Sequence, residues 1–469
     1  MLELRERVTE RAVAWATSLL SKRVPHSASN RFLEGFYAPV DLETTETGLR
    51  VTGQLPAELN GLLTRIGPNP ISVPNPATYH WFIGDGMVHG LRLNEGKAVW
   101  YRNRYIGTDT ANKALGRPKT PGKRRGVADV VNTNAIGHAG RYFALVEGGT
   151  MPIELDCNLE SVRQGLFDSD RSLPFTAHPH LDPATGKLHA ICYDGASGGV
   201  SYIVVDAACK IERVVEISSI TDGPMIHDCA ITATGVMIFD LPVTLSQKAF
   251  LEGSRFPYRW NPKRAARVGF LPFGGESRDV RWYSIDPCYA FHSCNAYDLP
   301  GGGAVVDVVV HDTMFAHETD GPDSTKITFE RWTLDPQSGS VKRAVRNEES
   351  QEFPRFDERM TGKPYRYGFT VGFSDAAHKL IRYDLETGAM VEHHYGAGKL
   401  TSEAVFVPRA SDAAEGDGWV LSYVYDKATD KSDVVILNAN DLGGEPAAIV
   451  HLPVRVPAGF HGNWVPDPE

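Results

Sequence analysis

Continuous apolar sequence is missing from the start of the chain. In MLELRERVTERAVAWATSLLSKRV, Glu3, Glu6 and Glu10 break every hydrophobic run, which argues against a signal peptide or a membrane span there. Basic charge is also short. With 48 Lys and Arg against 58 Asp and Glu, the formal net charge is −10, and no dominant basic footprint is available for a nucleic-acid partner. Cysteine is scarce: six are scattered over 469 residues with no CxxC pair, so reduced, mostly buried thiols and a cytoplasmic setting are expected. HExxH and P-loop patterns are absent, which removes common metallohydrolase and nucleotide-binding motifs. Gly301-Gly302-Gly303 precedes the strand-like AVVDVVV and no helix, so it reads as a turn and not as a phosphate loop.

What is present is an ordinary globular composition, 42% hydrophobic and 23% charged, enough to bury a large core. Leu4, Val8, Ala12, Trp15 and Leu19 recur at three- and four-residue steps and predict an amphipathic N-terminal helix. Its apolar stripe either docks on the protein or rests on a membrane surface. From about residue 45, short apolar or alternating runs broken by Gly, Pro, Asn and Asp predict strands. One turn recurs between them, at Asp182–Gly186, Asp335–Gly339 and Asp384–Gly388, with Asp first, Ser or Thr fourth and Gly last. Repeated hairpins without intervening long helices predict an all-β protein of radially repeated sheets, a β-propeller. No linker divides the chain, so residues 1–45 are read as a lead-in and 46–469 as one domain. Residues 244–275 are expected to form a long loop or short helices over one face.

Among 16 histidines, four have distinctive surroundings: His178 in Phe175-Thr-Ala-His178-Pro, His227 in Met225-Ile-His227-Asp228, His292 in Ala290-Phe-His292-Ser, and His461 in Gly459-Phe-His461-Gly. Bulky apolar residues precede three of them, as an inward-facing imidazole at the inner edge of a sheet requires. His180 reads as a neighbour of the site or as exposed, and Asp228 as a backbone brace. His311, His317, His393 and His394 lack the inward-facing context.

Together with Asn60-Gly61-Leu-Leu-Thr-Arg65-Ile-Gly67-Pro-Asn69-Pro70 and Gly84-Asp85-Gly86-Met87, these segments resemble the carotenoid cleavage oxygenases, in order from about residue 50 to the C-terminus. The resemblance implies a seven-bladed propeller capped by loops and short helices, with His178, His227, His292 and His461 binding Fe(2+) on the central axis. It further implies that Glu147, Glu352 and Glu403 accept hydrogen bonds from ligand imidazoles, fixing ring orientation and raising basicity. Read without it, all three would pass for solvated glutamates, although apolar neighbours argue against exposure of Glu147.

The implied reaction is cleavage of a carbon–carbon double bond by dioxygen. In the stilbene-cleaving members a lysine that engages the substrate phenol directly precedes the first of the three glutamates. Here that position is Val146, which favours a carotenoid or apocarotenoid. Tyr101 and Tyr105 keep a phenolic substrate, a stilbene or 4-vinylphenol, open. An iron-dependent isomerase-hydrolase and a propeller used only for binding are the competing classes. Phe250-Leu251, Phe256-Pro-Tyr258-Arg259-Trp260 and Lys263-Arg264 mix aromatic with basic groups, suiting either peripheral membrane contact or a plain capping loop.

Overall fold

Runs such as AVVDVVVH at Ala304–His311 are buried at every position, so they sit inside a stack of sheets, where β-branched side chains pack on both faces. The computed structural model describes residues 2–318, 320–374 and 376–467, and side chains from residue 9 onward. Short antiparallel meanders recur along the chain. Residues 134–164, 180–216 and 351–394 each build one four-stranded sheet, and a further eight-stranded sheet spans residues 229–347. All three recurring turns close hairpins. Asp182 Oδ1, for example, accepts the Ala184 N–H at 2.9 Å while Gly186 takes φ +69°.

The first strand of each meander faces inward, except where the chain's two ends share a sheet and the last strand does so; these strands pack against one another around an axis. His180–Asp182 lies against Cys229–Ile231, then follow Ser293–Asp298, Gln351–Phe356, Lys399–Pro408, Trp464–Pro466 and Asn134–His138. This is a propeller-like arrangement. The two ends of the chain close it. Trp464–Pro466 pairs antiparallel with Gly61–Pro68, and Val51–Gly53 pairs with Ala448–His451. The cores lie between adjacent sheets: Phe143 and Leu145 of one pack with Leu188, Ala190 and Ile203 of the next. Each of the Leu, Ile and Phe side chains contributes about 1.5–3 kcal/mol on burial.

Leu2–Ser21 is helical, as expected, but does not dock through the expected stripe. Trp15 is 69% and Leu19 41% exposed, and Ala12 is exposed too; the side chains of Leu4 and Val8 lie outside the described residues. The helix is held instead by Glu10. Arg125 donates through Nη1 to Glu10 (2.6 Å) and through Nη2 to Asp194 (2.8 Å), all three being buried. A buried ion triad outweighed the periodicity.

Residues 244–275 are more regular than expected. Val243–Leu245 pairs with Tyr258–Trp260 around a helix at Gln247–Leu251, and Ala266–Pro272 is a strand of the eight-stranded sheet. Phe256 and Tyr258 turn inward, and Arg264 is bound to Asp240 at 2.5 Å, so of the aromatic and basic groups only a few reach solvent. Leu251 is one apolar residue that does, at 68% exposure. Five of the six cysteines are buried and all are free thiols.

Candidate metal centre

The four marked histidines all stand at the entry to axis-facing strands. His178 precedes His180–Asp182, His227 precedes Cys229–Ile231, His292 precedes Ser293–Asp298, and His461 precedes Trp464–Pro466. Entering from four places around the ring, their Nε2 atoms converge: His178 to His227 is 3.0 Å, His227 to His292 is 3.1 Å and His292 to His461 is 3.1 Å. All four lie within 4.8 Å of one another.

Behind three of the rings stands a carboxylate. Glu352 Oε2 is 2.7 Å from His292 Nδ1 and Glu403 Oε1 is 2.9 Å from His461 Nδ1. Glu147 Oε2 is 2.8 Å from His227 Nδ1, near enough for a hydrogen bond though out of line with the ring N–H. With Nδ1 donating backward, the Nε2 lone pair points inward. Glu352 and Glu403 sit where their strands slip register, between Glu352 and Arg355 and between Thr401 and Ala404; such bulges re-aim side chains. Phe353 has φ +56°, an unusual value for a bulky residue, and it turns that ring toward His292 and His461 at 5.5 and 5.7 Å.

Some partners were not legible in the sequence. His311, expected to lie apart from the site, is buried at the end of Ala304–His311 with Nε2 2.9 Å from Glu352 Oε1 and Nδ1 2.8 Å from Ser324 Oγ. A polar residue ending a wholly buried strand was the available signal. Arg355 anchors Glu403 at 3.1 Å and donates to the Gly462 carbonyl at 3.2 Å. The remaining histidines do stand apart: His317 and His394 are exposed, and His393 packs on Tyr395.

Glycine lets His461 reach the axis. A Cβ on Gly459 would come within 2.7 Å of the Ile66 carbonyl, and one on Gly462 within 2.1 Å of the Thr64 carbonyl. The GFHG segment therefore lies directly against LTRIG, which accounts for glycine in both motifs.

Four buried imidazoles whose acceptor nitrogens converge have no donor to satisfy them unless a cation does. Burial and the neighbouring imidazoles hold His178 well below the usual histidine range, so proton uptake is a poor solution. Burial likewise takes His461 down to about 4 against the pull of Glu403. Burial alone would raise Glu352, but His292 and His311 keep it well below the usual carboxylate range; Arg355 and His461 do the same for Glu403. At His292 burial lowers and Glu352 raises, and the net direction is upward. Imidazole nitrogens backed by carboxylates fit a divalent transition-metal ion.

A family model described as retinal pigment epithelial membrane protein matches residues 37–466. A carotenoid cleavage oxygenase of Mycobacterium tuberculosis is 39% identical, over 94% of this chain and 98% of that protein. The chain belongs to the carotenoid cleavage oxygenase family. The carotenoid 9,10(9',10')-cleavage dioxygenase 1 of Pisum sativum is 30% identical over 100% of this chain and 97% of its own. In fold, the crystal structure of Pseudomonas brassicacearum lignostilbene dioxygenase matches with TM-score 0.84 and 26% identity, covering 95% of this chain and 100% of that one.

A cavity of about 1300 Å³ runs from the N-terminal helix to His227, His292 and His461, lined by Val146, Phe256, Tyr258, Phe291 and Phe353 among others. Val146 is buried on this wall, beside Glu147. Tyr101 and Tyr105 do not line it. The Tyr101 hydroxyl is 2.8 Å from His89 in the core between sheets, and the Tyr105 hydroxyl accepts from Asn69 at 2.7 Å. Both are held by internal hydrogen bonds, so neither can meet a phenol here. Thr133, unremarked in the sequence, does line the cavity, and its carbonyl accepts the His461 N–H at 3.2 Å.

Proposed function

We propose that this chain holds one Fe(2+) ion through His178, His227, His292 and His461 and cleaves a C=C bond of an apolar conjugated substrate, a carotenoid or apocarotenoid, with O2. The observation that carries this reading is the meeting of four Nε2 atoms at the inner end of a largely apolar cavity. Residues 46–469 form the catalytic domain and 1–45 its lead-in. Supporting seven blades around the metal axis, the eight-stranded sheet consists of two four-stranded meanders joined by one parallel pair, Ser284 with Ser340.

When bound, ferrous iron supplies an electron-rich centre at which dioxygen is activated. The protein's own groups position and protect. Glu147, Glu352 and Glu403 orient the imidazoles, while Val146, Phe291 and Phe353 bound the apolar space that holds the alkene and excludes water. One alkene and one O2 give two carbonyl products, so the balance needs no reductant and no proton from a side chain. The names of the Mycobacterium and Pisum relatives support a carotenoid-type substrate, as does Val146. The fold match to a lignostilbene dioxygenase supports the second reading, cleavage of a phenylpropanoid alkene.

No helix among the described residues is long and apolar enough to cross a membrane. Exposed Trp15, Leu19 and Leu251 stand beside Val13, Thr17 and Phe250 at one end of the cavity, which supports peripheral membrane contact where an apolar substrate enters. Buried free thiols suit a cytoplasmic setting.

The test is purification with iron analysis, followed by turnover of a panel of carotenoids, apocarotenoids, stilbenes and vinylphenols under heavy-isotope O2. One iron per chain and label in both carbonyl products, with exchange suppressed, is the expected result. Product formation without oxygen would replace this reading with an isomerase-hydrolase, and a chain that takes up no iron would leave only a binding scaffold.

A further inference from the structure

Three of the four imidazoles are aimed by a carboxylate on Nδ1, but among the described residues none pairs with His178. Something else must fix that ring. The axis-facing strands following His178, His227 and His292 belong to different meanders; among the described residues no ladder pairs any of the three directly with another, and the second and third are joined only the long way round, as the two ends of the eight-stranded sheet. Side chains therefore set their close spacing at the axis.

Asp228 bridges all three. Its Oδ1 accepts from His180 Nε2 at 2.8 Å and from the Cys229 N–H at 2.7 Å; its Oδ2 accepts from the Ser293 N–H and from Ser293 Oγ, both at 2.8 Å. Ser293 Oγ also lies 2.9 Å from the Cys229 carbonyl. His180 is two residues beyond His178, Asp228 is one beyond His227, and Ser293 is one beyond His292. Ser293 also opens the register slip in its strand that frees its N–H to turn toward the carboxylate. His180, Asp228 and Cys229 stand close enough to suggest a second metal site, but both Asp228 oxygens already accept two hydrogen bonds each, so the cluster is a closed structural knot.

Resting on the metal reading above, we propose that Asp228 is a positioning residue: one buried carboxylate that sets the mutual spacing of three ligand imidazoles and stands in for the partner that His178 lacks. Metal ligation tolerates displacements of only about half an ångström. Loss of the clasp therefore reaches the metal before it reaches the fold.

The experiment loads metal-free protein with cobalt(II), following its d–d absorption and its affinity by titration, alongside thermal melting of the metal-free chain. Asp228→Asn should weaken cobalt(II) binding about 10- to 100-fold and shift the absorption bands, the range typical of partners standing behind metal ligands. His180→Phe and Ser293→Ala, each removing one leg of the clasp, should give smaller changes in the same direction with melting nearly unchanged. His180→Gln, which keeps an N–H donor, should restore part of the loss. These two legs decide the matter should Asp228→Asn fail to fold. Wild-type affinity and spectrum in Asp228→Asn, or in both single-leg variants, overturns the proposal. A wild-type chain that takes up no cobalt(II) overturns the metal reading itself, and this inference with it.

Discussion

His311 and Glu352 lie 2.9 Å apart, and through this contact a second histidine shares the carboxylate that holds His292. The three glutamates behind the centre are consequently unequal. Glu403 is paired with the Arg355 cation and accepts the Gly462 N–H, and Glu352 is divided between His292 and His311. Glu147 has no comparable cation beside it among the described residues.

His311→Ala leaves Glu352 with one imidazole donor fewer, so its grip on His292 loosens. Glu352→Gln should lower metal affinity by about 10- to 100-fold, and His311→Ala by less, toward the lower end of that range. His292→Ala removes a donor atom and should abolish stoichiometric iron. Metal titration orders the three variants, and normal iron content in His292→Ala would contradict the ligand assignment.

Arg355 is half-buried and charge-paired with the buried Glu403 while bonding the segment that carries His461. Arg355→Met strands a buried carboxylate and should destabilise the fold by about 3–5 kcal/mol, read from urea unfolding. A loss under about 1 kcal/mol would mean that the pair behaves as a surface ion pair does.

Gly462→Ala places a Cβ 2.1 Å from the Thr64 carbonyl, a backbone atom that cannot turn aside. Poor folding, or a folded protein without His461 at the centre, is expected. Gly165→Ala is the control, since nothing lies within 4 Å of its Cβ position and its φ is ordinary. Equal expression, melting temperature and iron content in both variants would remove the close-approach argument.

Trp15 and Leu19 are exposed, so Trp15→Ser with Leu19→Ser costs little burial and should leave melting within about 0.5 kcal/mol of the parent. Binding to anionic lipid vesicles should fall several-fold in a sedimentation assay. Unchanged vesicle binding would assign this patch no part in membrane contact.

Strand content, the turn chemistry and the residues that converge at the centre were legible in the sequence because each leaves a local mark: Asp and Gly at fixed turn positions, and bulky apolar residues beside an inward imidazole. His311 left only its place at the end of a buried strand and Arg355 left none, since they act on residues 41 and 48 positions away by chain numbering, across separate strands. The N-terminal helix was legible only in part. Its 3.6-residue pattern gave the apolar stripe but left open whether the stripe docks or meets a membrane, and Glu10, drawn inward by Arg125, leaves Trp15 and Leu19 facing solvent. Tyr101 and Tyr105 were judged by residue type, while their hydroxyls were already committed to His89 and Asn69.

The pairing of Trp464–Pro466 with Gly61–Pro68 has a consequence for biosynthesis. The fourth imidazole comes only three residues before the strand that shuts the ring, so the four can meet only after that strand has been made and has returned to Gly61–Pro68. On the metal reading proposed above, tight ion capture would then follow ring closure, and loading would mark molecules whose ends have met.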